Sequence, residues 1–260
     1  VRRQPRTLPR PSARQLERRT RRSGALAAPT CPPLARRPAM DYILSILGPL
    51  AEGSLVTLKL FFITLLLAVP LGLALALIRI SRFTVASQAV NGYIWLMRGT
   101  PLMLQLLFIY FALPFVPVVG VRLPDFPAAV VAFALNYAAY FAEIFRAGIQ
   151  SVDRGQYEAA KVLGMSYGQT MRRIVLPQMV RRILPPMSNE TITLVKDTSL
   201  ISVLGVTAAT KDLARFGRDG VNQTANATPL IVAGLVYLAM TLPLTQLVAW
   251  MERKTKAMSR

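Results

Sequence analysis

Residues 54–78 read SLVTLKLFFITLLLAVPLGLALALI, and Lys59 carries the only charge in the run. A helix rises about 1.5 Å per residue, so about 20 apolar residues cross roughly 30 Å of hydrocarbon. Lys59 lies near one end, where its apolar stem lets the ammonium reach the interface. Pro70 predicts a kink, which a lipid-buried helix tolerates when its neighbours satisfy the freed carbonyl. The stretch predicts a membrane-spanning helix.

Four more stretches read the same way, at about 101–119, 126–147, 183–206 and 228–250. An amphipathic approach from Thr84 precedes the first of these, and Trp95 and Trp250 suit interfacial anchors. With 53% hydrophobic residues clustered into such runs, the chain is expected to be all-α, a polytopic membrane protein with five spans. Five spans put the termini on opposite sides. The connections at 79–101 and 146–182 and the tail at 251–260 carry 3, 7 and 4 basic residues. The segments at 40–53, 113–125 and 206–227 carry 0, 1 and 3. The basic face is expected in the cytoplasm, which puts Met40 outside and Arg260 inside.

The net charge of +19 divides unevenly. Residues 1–39 hold eleven arginines and one acid, Glu17, for +10, and residues 40–260 contribute +9. Seven prolines break up the first segment, and it has no apolar run of a secretory signal. An organellar transit peptide or a basic tail for nucleic acid or lipid headgroups are open alternatives. The preferred expectation is a leader from a misplaced start, with Met40 the first native residue. Eleven arginines on the outer face would oppose the charge asymmetry of the rest.

The longest basic connection lies within RAGIQSVDRGQYEAAKVLGMSYGQTMRRIVLPQMVRRILPP, residues 146–186. Gly155 is expected to break the chain before a short helix over 156–163, with Glu158 near its positive end. Ala159 and Ala160 keep one surface small, and Gly164 suits the C-cap. Ser166 is expected to cap a second helix from Tyr167, ending at Leu176-Pro177. So short a pair cannot fold alone and must lean on another surface.

Here the sequence resembles a family. Glu158-Ala159-Ala160, three residues, Gly164, nine residues, then Ile174-x-Leu176-Pro177 resembles the EAA loop of bacterial ATP-binding-cassette import permeases. MRGTPLMLQLLFIYFALP (97–114), AAYFAEIFRAGIQSV (138–152) and LPPMSNETITLVKDTSLISVLGV (184–206) are similar to its polar-amino-acid branch, of the histidine, glutamine and arginine type. The resemblance implies a type I ABC importer permease fold over 54–250. It also implies a short external segment over 40–53, a cytoplasmic tail over 251–260 and a multi-pass place in a bacterial inner membrane. It makes 153–177 a cytoplasmic coupling loop, with Gly155, Glu158, Ala159, Ala160 and Gly164 meeting the ATPase. The implied partners are a second permease subunit (identical or homologous), two ATPases that carry ATP and magnesium, an external solute-binding protein, lipid and the amino acid substrate. A related small polar solute such as an opine is the alternative cargo.

Polar residues inside apolar segments mark either a substrate path or an internal polar network. They are Asn136 and Glu143, which share a helical face with Tyr140, and Asn189, Glu190, Lys196, Asp197 and Thr198. Other classes are disfavoured. The chain has no histidine, one cysteine (Cys31) and no phosphate loop, so no catalytic, metal or ATP site is expected in it. A stand-alone secondary transporter would show inverted repeats, and a nucleic-acid binder would carry its charge on a folded surface.

Overall fold

The computed structural model describes residues 39–117, 120–204 and 210–257. It divides into two units, Val1–Ser45 and Ile46–Arg260, and the second holds the helical bundle. The arginine-rich leader lies, but for Ala39, outside the described residues.

Every regular element among the described residues is helical. They are α1 (Ala39–Arg79), α2 (Thr84–Gly99), α3 (Leu102–Leu107), α4 (Asp125–Gln150), α5 (Arg154–Val162), α6 (Tyr167–Thr170), α7 (Leu176–Asp197), α8 (Leu213–Thr224) and α9 (Thr228–Ala257). By length and composition, three can cross a membrane: Leu44–Arg79, Asp125–Gln150 and Thr228–Lys254. A fourth is counted if the bent pair Thr84–Gly99 and Leu102–Phe115 makes one span. The five expected spans are thus matched in three places, or in four with the bent pair. The segment expected at 183–206 is helical from Leu176 to Asp197, but Asn189, Glu190, Thr193 and Lys196 make it too polar to qualify. The first helix starts earlier than expected, so 40–53 continues it rather than forming a separate segment.

The bend between α2 and α3 is 106° and has a local cause. Pro101 lacks an N–H and drives the residue before it out of the helical region, and Thr100 sits at φ −120°, ψ 145°. At the other end, a π-helical turn over Phe108–Ala112 leads into a short 3-10 turn ending at Phe115.

Helix α4 is the centre. In its most apolar stretch 67% of residues are buried, against 6% for α9, so α4 is wrapped by protein while α9 presents its apolar surface outward. Ala128, Ala129, Ala132, Ala138, Ala139 and Ala142 are fully buried, and small side chains let neighbouring backbones approach closely. Two glycines set the closest crossings. A Cβ on Gly72 of α1 would lie 2.8 Å from Phe141 Cβ and 2.9 Å from the Ala138 carbonyl of α4. One on Gly148 of α4 would overlap the Ile183 side chain of α7.

Helix α7 absorbs three prolines. Pro177 falls in its first turn, after a π-helical stretch over Met171–Val175. The expected stop at Leu176-Pro177 is therefore passed: the wider turn just before it takes up the position where a proline lacks its N–H.

Gly72→Val is expected to lower the thermal midpoint of the purified protein, since the obstruction includes backbone; overpacking of this kind costs about 1–3 kcal/mol. Gly92→Ala, with nothing within 4 Å, serves as the control and should not destabilise. Equal midpoints for Gly72→Val and the unsubstituted protein would contradict the crossing.

Candidate functional site

The bend at Thr100-Pro101 leaves carbonyls without helical partners, and side chains take them up. Gln105 Nε2 donates to the Met97 carbonyl at 2.9 Å, the Thr100 carbonyl at 3.1 Å and Thr100 Oγ1 at 2.7 Å. Asn136, almost fully buried on α4, donates to the Met97 carbonyl at 3.1 Å and to Gln105 Oε1 at 3.0 Å. One amide on α4 thereby fixes the elbow against the central helix.

Beside this elbow, α2, α4 and α7 enclose a cleft of about 580 Å³. Its polar lining comprises Arg98, Thr100, Asn136, Tyr137, Tyr140, Glu190, Thr193 and Asp197. Tyr137 donates its hydroxyl to Asp197 Oδ2 at 2.8 Å, which joins α4 to the end of α7. The Arg98 guanidinium lies over the Tyr140 ring, 5.2 Å from its centre. No salt bridge among the described residues ties Arg98 to Glu190. The cleft thus presents one cation and two carboxylates on an aromatic wall.

The expected polar residues divide. Asn136, Glu190 and Asp197 line the cleft together with Tyr140. Glu143 forms ion pairs with Arg79 of α1 and Arg146, so its charge is taken up by an internal clamp. Thr198 is fully buried and donates to the Val195 carbonyl at 2.7 Å. Lys196 and Asn189 are exposed and line no part of the cleft. Sequence reasoning missed Arg98, quoted only within the 97–114 stretch, and Tyr137. An arginine beside a proline break in an apolar run was the available signal for the first. For Tyr137, it was adjacency to Asn136.

The α5–α6 loop is built from its caps. Asp153 begins α5, its carboxylate accepting from the Gly155 N–H at 2.6 Å. Gly155 therefore lies inside the first turn and does not break the chain, and Glu158 is exposed in mid-helix rather than at the positive end. Gly164 has φ +67°; its N–H donates to Lys161 and that of Met165 to Ala160, each at 3.0 Å. That double closure is the helix end for which glycine is best suited. Ser166 and Gln169 form a reciprocal capping box. Ala160 is buried and Ala159 exposed, while Val162, Leu163 and Tyr167 are 88%, 76% and 72% exposed, which leaves an apolar surface on the loop. Burial, and then the nearby Tyr167, push the Tyr157 phenol up from its ordinary value.

Known proteins share this arrangement of helices. Residues 68–257 match the family described as binding-protein-dependent transport system inner membrane component. The chain is 40% identical over 206 residues to the arginine transport system permease protein ArtQ of Bacillus subtilis (strain 168), covering 79% of this chain and 92% of that one. It is 34% identical over 227 residues to the glutamate/aspartate import permease protein GltK of Escherichia coli O6:H1, covering 84% and 95%. A solved structure described as an amino acid ABC transporter with histidines aligns with a TM-score of 0.74 and 37% identity, covering 82% of this chain and 97% of that one.

Asn136→Ala is expected to loosen the elbow, because the substitution strips Gln105 and the Met97 carbonyl of a buried partner at a cost of about 1–3 kcal/mol. The readout is the thermal midpoint, with exposed Asn189→Ala as control. Equal midpoints for the two variants would contradict the role given to Asn136.

Proposed function

The chain belongs to the family of binding-protein-dependent transport system inner membrane components and is the permease subunit of an amino acid importer; from that premise we propose that its cleft seats a cationic amino acid. One observation carries the proposal: Arg98, Glu190 and Asp197 line one cleft with Tyr140. Arg98 suits the α-carboxylate and Glu190 the α-ammonium. Asp197, held by Tyr137, is left for a side-chain cation. A ligand of net charge +1 complements this wall. The ArtQ protein of B. subtilis, an arginine transport permease, supports that substrate class.

The rest of the assembly follows from the family. The chain is a multi-pass protein of the inner membrane. It carries no phosphate loop, so ATP and magnesium belong to partner ATPases. A second permease, two ATPases and an external solute-binding protein complete the proposed importer. The exposed apolar surface of Val162, Leu163 and Tyr167 is the part of the α5–α6 loop offered to the ATPase. Gly155, Glu158, Ala159, Ala160 and Gly164 form its frame. The basic asymmetry supports an external Met40 end and a cytoplasmic Arg260 end. Five spans remain the proposed count, with α7 crossing as a polar helix inside the bundle.

Proteoliposomes holding the permease with its ATPase and binding protein should take up L-arginine when ATP is inside, and L-lysine but not L-glutamate should compete. Competition by L-glutamate alone would overturn the cationic substrate. Cysteines at Ser45 and Ser259, in a background lacking Cys31, should label from opposite sides; labelling of both from one side would overturn the topology. Gly164→Asp should leave membrane level intact while weakening ATPase co-purification or separating ATP hydrolysis from uptake, since a side chain at φ +67° costs about 1 kcal/mol or more. Normal coupling in Gly164→Asp would falsify the docking role.

A further inference from the structure

Helix α8 belongs to the segment 206–227, which the charge asymmetry sets on the outer side. It lies close against two spans. A Cβ on Gly53 of α1 would stand 2.9 Å from Leu213 Cα, and one on Gly217 of α8 would stand 2.9 Å from Ala233 Cβ of α9. On a further side, Arg218 donates to the Ser202 carbonyl at 3.3 Å. Ser202 belongs to the 3-10 turn over Thr198–Val203, which continues α7 beyond Asp197, and Leu200 of that turn lines the cleft. Helix α8 therefore backs the wall on which Asp197 stands.

One buried carboxylate pins this helix. Asp212 is fully buried and caps α8, accepting from the Ala214 N–H at 3.0 Å and the Arg215 N–H at 3.2 Å. The Tyr237 hydroxyl of α9 donates to the same carboxylate at 3.1 Å. The hydroxyls of Thr57 and Thr198 stand beside that of Tyr237, and Thr57 Oγ1 accepts from the Leu213 N–H at 3.5 Å. Four segments, α1, the 198–203 turn, α8 and α9, thus meet at one tyrosine and one aspartate.

The charges around Asp212 are engaged elsewhere. Among the described residues no salt bridge reaches it. Lys211 lies over the Phe216 ring, Arg215 faces Asp219 at 3.6 Å, and Arg218 is held by Ser202. On α1, Glu52 and Lys59 are exposed, and Lys59 lies over the Phe126 ring. The 198–203 turn carries no charged residue, nor does α9 before Glu252. Burial pushes the Asp212 carboxyl up from the ordinary 3.8 to about 6, against the bonds from Ala214, Arg215 and Tyr237 that favour its charged form. Such a carboxyl binds its proton more tightly when packed than in water. The packed arrangement gains stability that is full below pH 3.8 and lost as pH rises through about 6. Lifting α8 away from Tyr237 would hydrate Asp212 and return it to its ordinary value.

We propose that Asp212 and Tyr237 form a proton-operated latch on the outer side: α8 lifts to admit an amino acid to the cleft, and protonation of Asp212 holds it down, so that external acid slows uptake. The inference rests on the outward placement of 206–227. Neither residue lines the cleft, so the pair acts as positioning residues, through α8 and the turn behind Asp197.

The test uses the complete importer in proteoliposomes, with ATP inside and the internal pH held neutral. Initial uptake of labelled L-arginine, or of L-glutamate should that be the cargo, is followed against external pH. Ligand binding by the binding protein alone is measured over the same range and divided out. Uptake should fall about tenfold between external pH of about 7.5 and about 5, as expected for a carboxyl that moves between about 6 and 3.8. Asp212→Asn keeps an acceptor for the cap and takes up no proton, so it should be slow at every external pH and show no step. Tyr237→Phe removes a bond that holds the carboxyl down, so its step should lie at higher external pH. A merely structural role would lower uptake without moving the step. Where Asp212→Asn fails to reach the membrane, the position of the Tyr237→Phe step decides. The proposal is overturned if corrected uptake is independent of external pH, if Asp212→Asn keeps the step, or if Tyr237→Phe leaves the step in place. A step that follows internal pH overturns the outward placement instead, and this inference with it.

Discussion

A backbone that turns sharply within an apolar bundle must find partners for its carbonyls, and that constraint organises this protein. Pro101 removes a donor and forces Thr100 out of the helix. The carbonyls thus released are met by Gln105, and Gln105 and Met97 are both met by Asn136. Irregular backbone survives at membrane depth only where protein or a cavity borders it. Here it has both: α4 on one side and the cleft on the other. Arg98 reaches the cleft because the helix ends just after it. Without the elbow, α2 would run on past the groove.

The central helix serves each part of the structure through residue size. Its buried alanines admit neighbouring helices at close range, and Asn136, Tyr137 and Tyr140 line the groove. Asn136 holds the elbow, Tyr137 holds Asp197, Tyr140 carries Arg98, and Glu143 clamps Arg79. These residues follow one another at helical spacing, so one face of α4 orders the groove along its length.

Much of this was legible in the residues. Apolar runs located α1, α4 and α9, because length and hydropathy decide a span without reference to neighbours. Gly164 and Ser166 were legible because helix caps are local chemistry, and both adopt the expected roles. What failed was set by context. Gly155 looked like a break, but Asp153 caps the helix before it. Pro177 looked like a stop, but a π-helical turn accommodates it. Lys196 looked buried within a span and is exposed, because α7 turns that face away from the bundle. Arg98 went unmarked and lines the cleft: Pro101 signals a break in the helix, but not the 106° angle at which the chain resumes.

In the proposed transport site, Asp197 answers a side-chain cation while Arg98 and Glu190 answer the backbone of the amino acid. L-citrulline is close in shape to L-arginine and lacks its side-chain charge, so the ratio of their ATP-driven uptake isolates the contact at Asp197. The ratio should strongly favour L-arginine in the unsubstituted importer. In Asp197→Asn it should fall by about tenfold or more, the loss expected when a charged partner becomes neutral. An undiminished preference for L-arginine in Asp197→Asn would contradict this division of roles.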